Sequence, residues 1–257
     1  MYLACTSESY GPLLDDGRLS LEDWFRLCTE SLGLKAVEIE DRHIGEPTPA
    51  RLRTLRDAAA GHGLEIVNIA LMNNFGLADE ARRRAEEELT LRWIQASRDL
   101  GSRFLRTFAG WPEGPREVRW PDMLASLQAV ATAAERAGVR LVLENHNHGG
   151  FVQRAEDVVA IQRAVASPAL GLLLDSGNYL DGLASIRQTA HLAWHVHAKF
   201  KRVQPDGRDA GIDQDGMLAA LRGAGYHGCV SVEYEGEEPG STAVPRTLQY
   251  LGEAIGR

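Results

Sequence analysis

The sequence predicts a single (β/α)8 barrel, and three observations predict it. Eight short β-rich runs alternate with longer amphipathic ones along the whole chain. Its 257 residues are the size of one eight-unit α/β barrel. No Pro/Ser-rich linker or low-complexity segment interrupts the alternation, so residues 1–257 are read as one domain. Regular alternation calls for a parallel sheet, because each strand-to-strand crossover needs a covering helix, and eight units favour closure over an open sheet. The open doubly wound sheet is the structural alternative, but no G-x-G-x-x-G follows the first strand to support it.

Taken in order, the first unit is a strand over residues 2–6 and a helix over 21–32 that Ser20 can cap. The second pairs a strand at 36–40 with a helix at 49–61, where Gly61 marks the end. The third pairs 65–71 with 79–100, and the fourth 104–108 with 120–137; Gly101 and Gly138 follow these two helices. The fifth pairs 140–145 with 155–166 and the sixth 170–175 with 182–190. The seventh joins 194–199 to a helix at 213–223 that Asp213 can cap, and the eighth joins 229–234 to 244–255. Each helix carries apolar residues near the 3.6 period.

Composition excludes several function classes. Hydrophobic residues make up 44% and charged ones 25%, as in a globular protein with a real core. A formal charge of −8 repels a polyanion, and the densest basic run, Arg82-Arg83-Arg84, precedes Glu86, Glu87 and Glu88 as a solvated helix face, so no nucleic-acid partner is expected. No run approaches the roughly 20 apolar residues that span a bilayer, and the N-terminus lacks a basic region followed by an apolar one, so neither membrane nor export is expected. Cys5, Cys28 and Cys229 are odd in number and lack metal-type spacing; they read as reduced thiols of a cytoplasmic protein. Apolar residues on the outer helices serve the barrel and any homo-oligomer interface alike.

In such a barrel the chemistry sits at the C-terminal ends of the strands, so charged groups that close apolar runs are the telling residues. Four late strands end this way. Leu141-Val142-Leu143 runs into Glu144, Gly171-Leu172-Leu173-Leu174 into Asp175, Trp194-His195-Val196 into His197, and Val230-Ser231-Val232 into Glu233. Period-two alternation turns Cys229, Ser231 and Glu233 inward and sends Val230 and Val232 towards the helices. The same logic puts His195, His197 and Lys199 on one face, with Trp194 and Val196 packing outward. Three carboxylates and an imidazole at one mouth repel one another unless a divalent cation neutralises them. Oxygen-rich ligation with a single nitrogen suits Mn²⁺, Mg²⁺ or Co²⁺, with Zn²⁺ also admissible. Alone, each charged residue could be a strand cap at the surface; four neighbouring strands doing it together is the signal. His146 and His148 in Asn145-His146-Asn147-His148 read as hydrogen-bond partners of the metal ligands, substrate contacts or solvated loop residues.

Leu143-Glu144-Asn145-His146, Leu174-Asp175-Ser176-Gly177-Asn178, His195-Val196-His197-Ala198-Lys199 and Gly225-Tyr226-His227-Gly228 with Ser231-Val232-Glu233-Tyr234 resemble the sugar phosphate isomerase/epimerase branch of the xylose-isomerase-like barrel superfamily. Asn73-Asn74-Phe75-Gly76 and Leu105-Arg106-Thr107-Phe108-Ala109-Gly110 look like its third- and fourth-strand signatures, so the resemblance covers nearly the whole chain. It implies metal ligation by Glu144, Asp175, His197 and Glu233, and a proton-transferring role for the two glutamates. One departure matters: keto-sugar 3-epimerases tend to carry a histidine three residues after the aspartate, where this chain has Asn178. The abasic-site endonucleases of the superfamily need further histidine and acidic ligands, for which this sequence supplies no clear candidates.

The expected chemistry is proton abstraction beside a carbonyl of a small sugar-like substrate, with Glu144 or Glu233 removing the proton and the other returning it. Arg106, His43, Asn73, His146, Asn178 and Lys199, at or just beyond strand ends, are the candidates to grip substrate oxygens. If the proton returns, the product is an isomer or epimer. If a β-hydroxyl leaves first, the same enolate yields a dehydratase or lyase, as in the inosose, dehydroshikimate and 3-oxo-glycoside branches of the superfamily. A non-catalytic carbohydrate-binding barrel is the reading from another class. No Gly-rich anion loop decides whether the substrate is phosphorylated.

Overall fold

A computed structural model describes residues 1–256. Eight parallel strands close on themselves in sequence order among the described residues: β1 (Tyr2–Thr6), β2 (Ala36–Glu40), β3 (Glu65–Ala70), β4 (Phe104–Thr107), β5 (Arg140–Glu144), β6 (Leu170–Asp175), β7 (Ala193–Phe200) and β8 (Cys229–Tyr234). The pairing of β1 with β8, Tyr2 to Cys229 through Cys5 to Val232, completes the barrel. This is the (β/α)8 barrel that the alternation predicts.

Helices cover the outside. Ser20 accepts from the Asp23 N–H at the start of Leu21–Glu30, and Asp213 from the Gly216 N–H before Gln214–Gly223, as expected of these caps. Gly101 and Gly138 end their helices in the left-handed region, with φ of 75° and 70°. Gly61 instead belongs to the last turn of Pro49–Gly61, and His62 follows it. Two helices start earlier than the sequence suggests, at Arg116 and Gly240, so that Pro121 and Pro245 lie inside them. The rim also holds short elements absent from the sequence reading: a 3-10 turn at Ser7–Tyr10 and helices at Gly11–Asp15 and Asp41–Ile44.

Alternation sorts the strand residues. Val37, Ile39, Leu141, Leu143, Leu172, Leu174, Val230 and Val232 join the main core between sheet and helices, whereas Glu144, Asp175 and Glu233 take the opposite face of the same strands. The lower interior is apolar: Ala4, Ala36, Val67 and Cys229 pack together, and Phe104, Val142 and Leu173 form a second group.

Trp194 corrects the alternation argument. It packs into that second group instead of facing outward. The cause is a register shift in which Leu172 pairs with Ala193 and Leu173 with His195, leaving Trp194 as the extra residue. Its indole fills the space beside Gly171, where an added Cβ would stand 2.1 Å from the ring. A second shift, between β2 and β3, leaves Val67 unpaired and sets Asn68 beside Glu38.

Among the described residues no helix is long and apolar enough to cross a membrane. Cys5, Cys28 and Cys229 are buried free thiols.

Candidate metal centre

Four neighbouring strands bring Glu144, Asp175, His197 and Glu233 together at the upper end of the barrel. One donor atom from each lies within 4.8 Å of all the others, and all four residues are buried. His197 Nδ1 stands 3.1 Å from Glu233 Oε2 and 3.8 Å from Asp175 Oδ2. Alternation of short strands places these groups: each follows residues whose side chains anchor the strand in the outer core, so the rigid sheet fixes the carboxylates.

Burying this much charge requires partners. Lys199 Nζ lies 2.6 Å from Glu233 Oε2, 3.3 Å from Asp175 Oδ2 and 2.8 Å from Glu235 Oε1. Arg106 spans Glu40 at 3.2 Å and Glu144 at 3.1 Å, its guanidinium 4.6 Å from the Phe108 ring centre. Asn178 donates to Glu144 Oε1 and to Asp175 Oδ2, each at 3.1 Å. This amide holds two of the acidic groups in place.

The carboxylates do not share one protonation state. Burial pushes the Asp175 carboxyl well above the usual range, against the pull of Lys199. Burial also raises Glu144, with Arg106 opposing it. Glu233 is held well below its ordinary range, because Lys199 and His197 outweigh the burial that works upward. Burial raises Glu40 to about 8 in spite of Arg106. His146 falls to about 4, through burial first and the neighbouring His148 next, and is neutral at physiological pH.

The donor set fits a divalent ion. Glu144 Oε2, His197 Nδ1 and Glu233 Oε2 are buried and make no well-aligned hydrogen bond, although Arg106 and Lys199 lie within ion-pair distance of the two carboxylates. Three oxygens and one nitrogen converging from rigid strands form such a site, and an ion offsets the repulsion among the acids.

A cavity of about 190 Å³ opens beside these groups, lined by Glu40, Arg106, Phe108, Glu144, His146, Asn178, Lys199 and Glu233 among others. Of the six expected substrate contacts, Arg106, His146, Asn178 and Lys199 reach this mouth. Two do not. The His43 ring is hydrogen-bonded by Ser7 at 2.7 Å and Asp15 at 3.1 Å. Asn73 is occupied with the Phe108 backbone at 2.9 Å and the Thr107 hydroxyl at 3.1 Å, tying the rims of β3 and β4 together.

The sequence reading missed Glu38, Glu40 and Glu235. For the first two a signal existed: Ala36-Val37-Glu38-Ile39-Glu40 alternates acid with β-branched residue, which on a barrel strand puts both acids inside. Glu235 lies one residue beyond β8, where alternation no longer applies.

A family model described as a xylose isomerase-like TIM barrel matches residues 27–254. A 3-oxo-isoapionate decarboxylase of Pectobacterium atrosepticum is 30% identical over 156 residues, 59% of this chain; the match spans 50% of that curated relative's length. Among solved structures, D-psicose 3-epimerase with D-tagatose from Clostridium cellulolyticum H10 superposes with a TM-score of 0.79 at 17% identity, covering 99% of this chain and 98% of that one. An IolI protein with a binding zinc atom gives 0.79 at 19% identity, covering 99% and 96%. At such identities these two likenesses speak for the fold.

Proposed function

We propose that this chain, which belongs to the xylose isomerase-like TIM barrel family, is a divalent-metal-dependent isomerase or epimerase acting on a keto-sugar or related polyol carbonyl compound. The observation that carries the reading is the convergence of Glu144, Asp175, His197 and Glu233, four buried donors within 4.8 Å. These residues would hold the ion, with Mn²⁺, Mg²⁺ or Co²⁺ the best match to the oxygen-rich set and Zn²⁺ admissible, and it would supply Lewis-acid stabilisation of negative charge at a substrate carbonyl.

The chain's own residues supply the proton transfers. One of Glu144 and Glu233, which face the mouth from β5 and β8, takes the proton from the carbon next to the carbonyl, leaving an enediolate, and the other returns it. Arg106, His146, Asn178 and Lys199 line the mouth and orient substrate oxygens. Phe108 and the buried walls limit water around the reacting carbon. The expected partner is a small sugar-like molecule in the cytoplasm, with no role for nucleic acid or membrane.

A lyase is the second reading, and the 30% identity to a decarboxylase favours it. The same residues would serve an enolate formed by loss of a proton or by loss of CO₂ with its bonding electrons left on carbon, and a β-hydroxyl expelled from that enolate would complete a dehydration.

Metal analysis of the purified protein, followed by NMR in D₂O with a panel of keto-sugars and cyclic ketones, tests both. Deuterium entering beside the carbonyl with epimer formation supports the first reading; alkene formation or CO₂ release supports the second. A protein that holds no divalent metal and exchanges no proton overturns both.

A further inference from the structure

We infer that Glu38 is a positioning residue for the metal centre: it fixes which nitrogen His197 presents to a bound ion, and His195 steadies Glu38 in turn. The inference rests on the metal-dependent reading above.

Glu38 lies in the middle of β2, two residues below the mouth, and is fully buried. Its Oε1 stands 2.8 Å from His197 Nε2, and its Oε2 stands 2.7 Å from His195 Nε2. Asn68 Nδ2 donates to the same Oε1 at 2.8 Å. Each oxygen of Glu38 thus faces an imidazole Nε2, and Oε1 also takes the Asn68 N–H; a carboxylate ringed by three such nitrogens accepts from all of them, so the ring proton facing Glu38 lies on Nε2 in both histidines.

For His197 that choice decides the chemistry. With Nε2–H committed to Glu38, the lone pair for an ion is on Nδ1, the nitrogen that faces Glu233 and Asp175. The carboxylate also makes the ring a stronger donor and stops it rotating. His195 shares the motif with His197 but plays another part. Its ring packs 5.9 Å from Phe104 and 5.6 Å from His197, and its hydrogen-bond partner is the second oxygen of Glu38. Glu38, His195 and His197 could also hold an ion by proximity alone. Each nitrogen, however, meets a different oxygen at hydrogen-bond distance, which is the geometry of two donated protons and not of one shared cation.

The test is Co²⁺ binding by the full-length, metal-stripped protein, read by chelator competition and by the visible absorption of the bound ion. Loss of a carboxylate behind a metal-ligating histidine typically weakens binding 10- to 100-fold. Glu38→Gln, which keeps an acceptor for His197 but loses the charge, is expected to bind Co²⁺ about 10-fold more weakly. Glu38→Leu is expected to lose about 100-fold and to shift the absorption bands, because the ring is no longer held. His195→Asn is expected to fall on the same side by a smaller factor. Thermal unfolding of the metal-free variants separates lost affinity from lost folding; if Glu38→Leu does not fold, Glu38→Gln and His195→Asn decide. Wild-type affinity with unchanged bands in the folded Glu38 variants overturns this inference alone. A wild-type protein that takes up no Co²⁺ overturns the metal centre itself.

Discussion

The two ends of the barrel interior are built from the same strands and are chemically opposite. At the N-terminal end, Ala4, Ala36, Val67, Cys229, Phe104, Val142, Leu173 and Trp194 fill the barrel by apolar contact. A few residues higher, Glu38, Glu40, Arg106, Glu144, Asp175, His195, His197, Lys199 and Glu233 crowd ionisable groups into equally buried space. The lower tier contributes stability through packing. The upper tier costs it, since each buried ion loses several kcal/mol of hydration that only good pairing offsets. Chemistry therefore sits on a platform whose strength comes from elsewhere, and the two tiers should respond differently to substitution.

The largest separation is expected from Glu233→Gln. Proton exchange beside the substrate carbonyl, followed by NMR in D₂O, should fall by about 10²- to 10⁴-fold, while urea unfolding should lose less than the roughly 3–5 kcal/mol of an orphaned buried charge, because Lys199 keeps Asp175 and Glu235 as partners. Wild-type exchange in this variant would contradict a proton-transfer role for Glu233.

Metal removal comes next. Chelation should lower the melting temperature, and restoring free ion to about a hundred times its dissociation constant should return about 2.7 kcal/mol. An unchanged melting curve would show that Lys199 and Arg106 satisfy the acids unaided.

Gly171→Ala probes the lower tier. The new Cβ meets the Trp194 indole, so a loss of about 1–3 kcal/mol is expected in urea unfolding, with metal stoichiometry per folded molecule preserved. Loss of metal without loss of stability would mean that the tiers are not separable in this way.

The smallest effect concerns Glu40, raised to about 8 by burial. Its folded state keeps a proton that the unfolded chain has lost above the ordinary glutamate range. Stability from this group is therefore present at low pH and declines as pH climbs from about 4.5 towards 8. Arg106 opposes the shift, and Glu8, Glu233 and Glu38 reinforce it. Glu40→Gln should flatten that decline, by up to about 1.4 kcal/mol per pH unit for one proton. A parallel pH profile in the variant would show Glu40 ionised throughout.

Much of this was legible beforehand because its causes are local. The strands β1, β2, β6 and β8 match the sequence reading residue for residue, since apolar alternation over five or six positions is a property of the chain itself. Glu144, Asp175, His197 and Glu233 stood out because each breaks such a run at its end. Trp194 misled because a single extra residue reverses the face of everything before it, and no local pattern announces the shift.

By itself, then, the sequence determined the eight units and picked out Glu144, Asp175, His197 and Glu233, the four groups that meet at the mouth. Tertiary structure alone decided their partners: Glu38 meets His195 across 157 residues and Arg106 meets Glu40 across 66. The reason is geometric. Period-two alternation sets a side chain's direction within its own strand, but the distance between side chains from different strands exists only after the barrel has closed and its register shifts have been taken up.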